Sequence, residues 1–286
     1  MNLRRILFPV DFSDGARAVA PFIHSIAQRH NASIVLMHVV QPAPPMYSAV
    51  NMSYFPETFD YNTTRNDIFR HLEKFATDEL PENKVTKVEV QCVADIGDPA
   101  HLIASYANDS ANEIDLICMP SRGHGAFRRA LLGSVTGKVL HDSKVPVWMS
   151  AHAPDPSHRA HPQPRHIVAA IDPYNGARPT LQAALAIAKE TGATVDIATA
   201  VSEGLIAPGV TDPDLESLLV EGTREELAKL RFEAGTETGL VIKVGHPADV
   251  VRKVALEKRG DLVVAGRGDK NDYAIIREAP CPVLSV

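Results

Sequence analysis

The sequence predicts an α/β protein made of two tandem doubly wound domains, each a five-stranded parallel sheet with helices on both faces. Three observations carry this. Apolar runs rich in Val, Ile and Leu alternate with stretches of helical periodicity, the pattern of βαβ units whose strands are buried on both faces. The whole alternation occurs twice, with matching segments in the same order, which marks an internal repeat. A Pro- and His-rich stretch without periodicity separates the two copies, as a linker does.

The repeat is visible residue by residue. Residues 11–17 read DFSDGAR and residues 172–178 read DPYNGAR, each directly after an apolar run, Ile6 to Val10 and Ile167 to Ile171. Gly97-Asp98-Pro99-Ala100 matches Gly245-His246-Pro247-Ala248, Asp115-Leu116-Ile117 matches Asp261-Leu262-Val263, and Val145-Pro146-Val147 matches Cys281-Pro282-Val283. At 286 residues and about 100–200 residues per domain, the expected division is a first domain at 1–150, a linker at 151–164 and a second domain at 165–286. His152, His158 and His161 lie in that linker. Their spacing fits no defined metal site, and a solvated linker accounts for them.

In the first copy the expected strands cover about 4–10, 33–40, 87–94, 114–119 and 145–150. Ala16, Val19, Ala20, Ile23, Ile26 and Ala27 recur at helical spacing between the first two, with Asp14 as the expected cap. A second helix fits 63–79. A third opens at Asp98-Pro99, a capping residue followed by proline at the first helical position, and a fourth runs from Val135 to His141. The second copy repeats the scheme with helices near 176–191, 212–233 and 246–259. Such alternation implies parallel strands joined by right-handed crossovers.

Composition narrows the class of partner. Hydrophobic residues make up 45% and charged residues 22% of the chain, which excludes a disordered or fibrous protein. The 29 Lys and Arg against 35 Asp and Glu leave a net charge of −6, which argues against a general electrostatic grip on nucleic acid. No apolar run approaches the ~18 residues that span a bilayer. Residues 1–10 lack the long apolar core of a signal peptide, so they read as the first strand of a cytoplasmic protein. Cys92, Cys118 and Cys281 form no CxxC pair and are expected to be buried, reduced thiols in strands.

In an open parallel sheet, ligands bind beyond the carboxyl ends of the strands at the switch point. Asp11 follows the first strand, the second ends at His38-Val39-Val40, and the fourth is followed by the segment from Met119 to Thr136. Glycines there let backbone amides come close to a ligand. Gly133-Ser134 opens a helix, whose free amides and dipole suit a phosphate, and Arg122, Arg128 and Arg129 add positive charge. The other reading of these residues is a glycine-bearing surface turn. GxxxxGK[ST] is absent, and GxGxxG fails because Arg128 stands where its third glycine belongs. Neither a P-loop NTPase nor a dinucleotide dehydrogenase is supported.

These residues resemble the tandem universal stress proteins, and the resemblance covers nearly the whole chain apart from the linker. Nucleotide-binding members of that family carry G-x2-G-x9-G-[ST] after the fourth strand. Here Gly123, nine residues, then Gly133-Ser134 match, while Pro120 stands at the first glycine. The family's aspartate that contacts adenosine matches Asp11 in Phe8-Pro9-Val10-Asp11-Phe12-Ser13. Its valine whose backbone meets adenine matches Val39 in Leu36-Met37-His38-Val39. The resemblance implies an adenine-nucleotide hydrolase-like fold with strand order 3-2-1-4-5. It implies ATP in the first copy, with Mg²⁺ bridging phosphate oxygens, held by Pro9, Val10, Asp11, Val39, Met119, Arg122, Gly123, Gly133, Ser134, Val135 and Thr136. It further implies at most slow ATP turnover and a nucleotide-dependent regulator of the stress response with an unidentified protein partner. Pairing of the two copies through Val145–Ser150 and Pro282–Val286 is expected, with a homodimer of whole chains left open.

His124 and His141 are the candidates for proton transfer near the loop, but no Ser/His/Asp order or carboxylate pair accompanies them, so no catalytic or metal-ligating residue is assigned. Two alternatives stay open. One is an adenylating or ATP-hydrolysing enzyme of the related nucleotide hydrolase-like group, although the turn Asp11 to Gly15 lacks that group's SGGxDS-type loop. The other is a ligand-free scaffold, which Pro120 would suit because proline lacks an N–H. Gln41 to Asn62 holds four Pro and five aromatics. It either folds over the adenine, docks a partner or packs on its own side chains.

The matched residues also drift in spacing. The offset falls from 161 (Asp11 to Asp172) to 148 (Gly97 to Gly245), and again from 146 (Asp115 to Asp261) to 136 (Pro146 to Pro282). The second copy is therefore shorter at the aromatic loop and at the phosphate loop, and one ATP per chain is expected.

Overall fold

A computed structural model describes residues 3–41, 61–80, 88–120, 132–150, 163–201, 213–267 and 270–286. They fall into two compact units. The first holds strands β1 (Arg5–Pro9), β2 (Ser33–Val40), β3 (Val90–Ile96) and β4 (Leu116–Met119), with helices α1 (Asp14–His30), α2 (Tyr61–Glu79), α3 (Pro99–Asn108) and α4 (Ser134–Asp142). The second holds β5 (Val147–Met149), β6 (His166–Ala170), β7 (Thr194–Val201), β8 (Gly239–Val244), β9 (Leu262–Ala265) and β10 (Val283–Ser285), with α5 (Ala177–Thr191), α6 (Pro213–Glu233), α7 (Pro247–Glu257) and α8 (Lys270–Glu278).

In the first unit the strands lie in the order β3-β2-β1-β4 and are parallel. The order reverses between β1 and β4. Right-handed crossovers then put α1 and α2 on one face and α3 and α4 on the other, and α1 indeed packs on α2 and α3 on α4. The second unit shows the full order 3-2-1-4-5 as β8-β7-β6-β9-β10, all parallel. β5, which the sequence assigns to the first repeat, pairs antiparallel with β10, Val147 against Ser285 and Met149 against Val283.

Central strands are apolar on both faces: β4 and β9 are buried at every residue, and β1 at all but its first. β3 is an edge strand and only Ala94 in it is fully buried. It begins at Val90 rather than near 87 and runs on through Asp95 and Ile96, which pair with Val39 and Val40. A half-solvated edge needs no continuous apolar run, so its polar end is invisible to an apolar pattern. Helix α1 buries Ala16, Val19, Ala20, Ile23 and Ala27, while Ile26 is only half-buried. Its cap is Ser13, not Asp14: the Ser13 hydroxyl accepts from the Ala16 amide at 3.2 Å. Asp14 is the first helical residue instead, where its charge complements the helix dipole. Asp98 caps α3 as expected, accepting from the His101 amide at 3.0 Å with Pro99 behind it.

Cys118 and Cys281 are buried, and Cys92 on the edge strand is half-buried. Burial pushes the Cys118 thiol far above its ordinary value and Cys281 up to about 12. Burial, and then the charge of Glu73, raise Cys92 as well. The thiolate is the reactive form. A thiol reagent at neutral pH is therefore expected to modify Cys92 slowly and to leave Cys118 and Cys281 untouched until the protein unfolds. Mass spectrometry after brief labelling checks this, and early modification of Cys118 would mean that the β4 core opens in the native state.

Candidate functional site

The carboxyl ends of β1, β2 and β4 meet the first turns of α3 and α4 around a cleft of about 250 Å³ in the first unit. β1 supplies Pro9, Val10 and Asp11, and β2 supplies Met37, His38 and Val39. Met119 and Pro120 come from the exit of β4, Pro99 and Ile103 from α3, and Gly133, Ser134, Val135 and Thr136 from the start of α4. Nine of the eleven residues singled out from sequence line this cleft. Arg122 and Gly123 lie outside the described residues, as do Arg128, Arg129 and His124. The aromatic stretch 42–60 and the linker histidines lie outside them too. His141 is on α4 with its side chain largely exposed, 2.7 Å from Asp142, and does not line the cleft.

One end of the cleft is built by α4. Its N-cap is Gly133, which has no side chain to fold back, and the first helical bond runs from the Gly137 amide to the Gly133 carbonyl at 2.8 Å. The amides of Ser134, Val135 and Thr136 precede that bond and have no acceptor within the helix. They present donors and the positive end of the dipole to the cleft. The buried Thr136 hydroxyl donates to the Pro120 carbonyl at 3.4 Å, tying the helix start to the exit of β4. Asp98 and Lys138 pair at 3.5 Å and link the first turns of α3 and α4. The His101 amide, with Lys138 adding to it, holds the exposed Asp98 carboxyl below its ordinary range.

At the other end Asp11 supplies the one carboxylate among the described lining residues. Its Oδ1 accepts from the Ser13 amide at 3.1 Å and from the Ser13 hydroxyl at 2.5 Å. Phe12 between them has φ 59°, a left-handed conformation that costs a non-glycine residue roughly 1–2 kcal/mol. Its ring is held by His38 at 4.6 Å, Phe75 at 5.9 Å and His71 at 6.1 Å. The wall between the two ends is apolar, made by Met37, Val39, Ile103 and Met119. An apolar slot with a few placed polar groups is the usual form of a small-molecule site.

Among the described residues no group of three or more His, Cys, Asp or Glu gathers into a cation cage. The site residues assigned from sequence leave out Met37, Pro99 and Ile103, and also His38 and Pro120, although the sequence places these last two at the end of the second strand and at the family's first glycine. The Asp98-Pro99 helix start was legible, and the switch-point rule applied to it would have put Pro99 and Ile103 on the wall.

The second unit arranges the same positions differently. Arg267 follows β9, is half-buried, and donates to the Ser285 carbonyl at 3.1 Å. A Cβ on Gly266 would come within 3.4 Å of the Thr180 hydroxyl and 3.9 Å of the Asp272 carboxylate. Asp272 lies in the first turn of α8, opposite in charge to what a phosphate needs there.

Residues 2–150 and 164–286 each match the model of the universal stress protein family. The chain is similar to universal stress protein YxiE of Bacillus subtilis, 28% identical over 145 residues that make up 50% of this chain and 95% of the relative. It is similar to a universal stress protein of Thermus aquaticus, 28% identical over 146 residues, 51% of this chain and 97% of the relative. A universal stress protein structure from Archaeoglobus fulgidus superposes with a TM-score of 0.64, covering 98% of this chain and 95% of that one at 21% identity. That last likeness is one of fold.

Proposed function

Because the chain belongs to the universal stress protein family, we propose that its first repeat binds ATP in the cleft between β1, β2, β4 and α4, and acts as a nucleotide-dependent regulator of the stress response. The observation that carries this is the convergence of the uncapped α4 N-terminus, the apolar wall and Asp11 on one cleft at the strand ends. Adenosine would lie against Val39 and Asp11, and phosphates over Ser134, Val135 and Thr136. The chain's own groups bind and orient. Among the described lining residues the groups that could take a proton are Asp11, whose Oδ1 accepts from Ser13, and His38, whose Nδ1 serves the Val10 carbonyl, and slow turnover at most is the expectation.

One observation favours a ligand-free scaffold. Pro120 stands where a glycine amide would face phosphate, and its carbonyl is already engaged by Thr136. Mass spectrometry of nucleotide that copurifies with the protein, followed by calorimetric titration with Mg-ATP, separates the two readings. The expected stoichiometry is about one per chain, from one-site linkage, because Asp272 and Arg267 reshape the corresponding place in the second unit. A stoichiometry near two would overturn the one-site reading, and no binding would leave the scaffold.

A further inference from the structure

His38 makes a contact that the nucleotide reading does not use. Its Nδ1 lies 2.6 Å from the Val10 carbonyl. A carbonyl only accepts, so Nδ1 carries the proton and the neutral ring keeps Nε2 as its acceptor. Val10 is the residue before Asp11. The same imidazole packs at 4.6 Å on Phe12, the residue after Asp11. One side chain on β2 thus restrains both neighbours of the carboxylate, which itself is turned back onto Ser13.

The second repeat contains an independent version of the contact. Thr199 stands 161 residues after His38, and Ile171 stands 161 residues after Val10, the same offset that relates Asp172 to Asp11. The buried Thr199 hydroxyl donates to the Ile171 carbonyl at 2.8 Å. Two chemically unrelated side chains make one bond, so what both repeats hold in common is a donor from the second strand to the carbonyl before the aspartate. In the second repeat Pro173 replaces Phe12, and no aromatic ring is there to be gripped.

We propose that His38 is a positioning residue of the nucleotide site: it donates to the Val10 carbonyl and braces the left-handed Phe12, and so fixes the direction of the Asp11 carboxylate. The proposal rests on the reading of the cleft as an ATP site. The bond uses Nδ1–H, which is present in the neutral and the protonated ring alike, so the restraint does not depend on the charge of His38.

The second repeat also provides the test. Mg-ATP affinity is measured by calorimetry for the wild-type chain and for His38→Val, His38→Thr and Thr199→Val, with thermal unfolding of each. His38→Val removes the donor, and its dissociation constant is expected to rise about tenfold, the size of one hydrogen bond. His38→Thr restores the donor that Thr199 provides and is expected to bind within about threefold of wild type, short of full rescue because the ring is gone. Thr199→Val breaks the equivalent bond in the other unit and is expected to leave affinity unchanged. Wild-type affinity in His38→Val, or His38→Thr binding as weakly as His38→Val, overturns the proposal even where the wild-type chain binds. If the wild-type chain takes no Mg-ATP, the reading of the cleft fails and the proposal fails with it.

Discussion

Gly133→Val is expected to weaken Mg-ATP binding by at least about tenfold while the protein stays folded, and Asp11→Ala to weaken it by a similar factor. Gly133 is the N-cap of α4 with φ −58°, an ordinary conformation for any residue, so valine meets no backbone strain there. Its branched side chain would stand at the rim of the cleft beside the Ser134 and Val135 amides, where phosphate has to approach closely. Loss of a tolerated N-cap glycine costs the helix about 1 kcal/mol at most, which the rest of the unit can carry. Asp11→Ala removes the carboxylate at the adenosine end of the proposed site, and leaving a buried polar partner unmet costs about 1–3 kcal/mol. Calorimetry on both variants decides the matter. If both bind Mg-ATP as the wild-type chain does, the cleft is not the site.

A second large effect is expected far from the cleft. Gly239→Ala should destabilise the second unit by about 3 kcal/mol, the upper end for overpacking a core. Gly239 opens β8 directly opposite Asp196 of β7, and a Cβ there would fall 1.7 Å from the Asp196 carboxylate oxygen. Asp196 is only 7% exposed. It survives burial because His166 Nε2 lies 2.9 Å away and Lys258 Nζ 3.5 Å away. The His166 contact is close but is not a well-aligned hydrogen bond. A methyl group at 239 has to push the carboxylate off these partners, and a buried charge parted from its partner is costly. Trp148 is the single tryptophan of the chain and is buried in β5 beside β10, so its fluorescence during urea unfolding reports on this unit. Adding Asp196→Ala to Gly239→Ala should recover part of the loss, since contacting residues are not additive. Simple additivity of the two changes would rule out the clash as the cause.

Much of the molecule was legible because its signals are local or repeat in order. The Asp98-Pro99 start of α3 needs only a side-chain oxygen three residues from an amide and a proline with no amide to lose. Gly133-Ser134 before a helical stretch announces free amides for the same reason. The doubled pattern of apolar runs required two domains. The strand order became legible only through the family resemblance. The shift of the α1 cap from Asp14 to Ser13 shows the limit even of local signals. Both residues can cap, and the Asp11 carboxylate, by holding the Ser13 hydroxyl, favours one of them.

The sequence alone determined the repeat, the α/β class, the buried central strands and the residues that gather at the strand ends, since these follow from periodicity and from contacts within a few residues. The pairing of β5 with β10 was expected from the two short apolar strands that end the repeats, but only the tertiary structure decided its antiparallel register, that Pro99 and Ile103 wall the cleft, that His38 reaches the Val10 carbonyl, and that Gly239 makes room for Asp196. Each of these depends on the register between strands or on the packing of a helix over them. A one-residue slip would turn every one of those strand side chains to the other face, and nothing in the neighbouring sequence states the register.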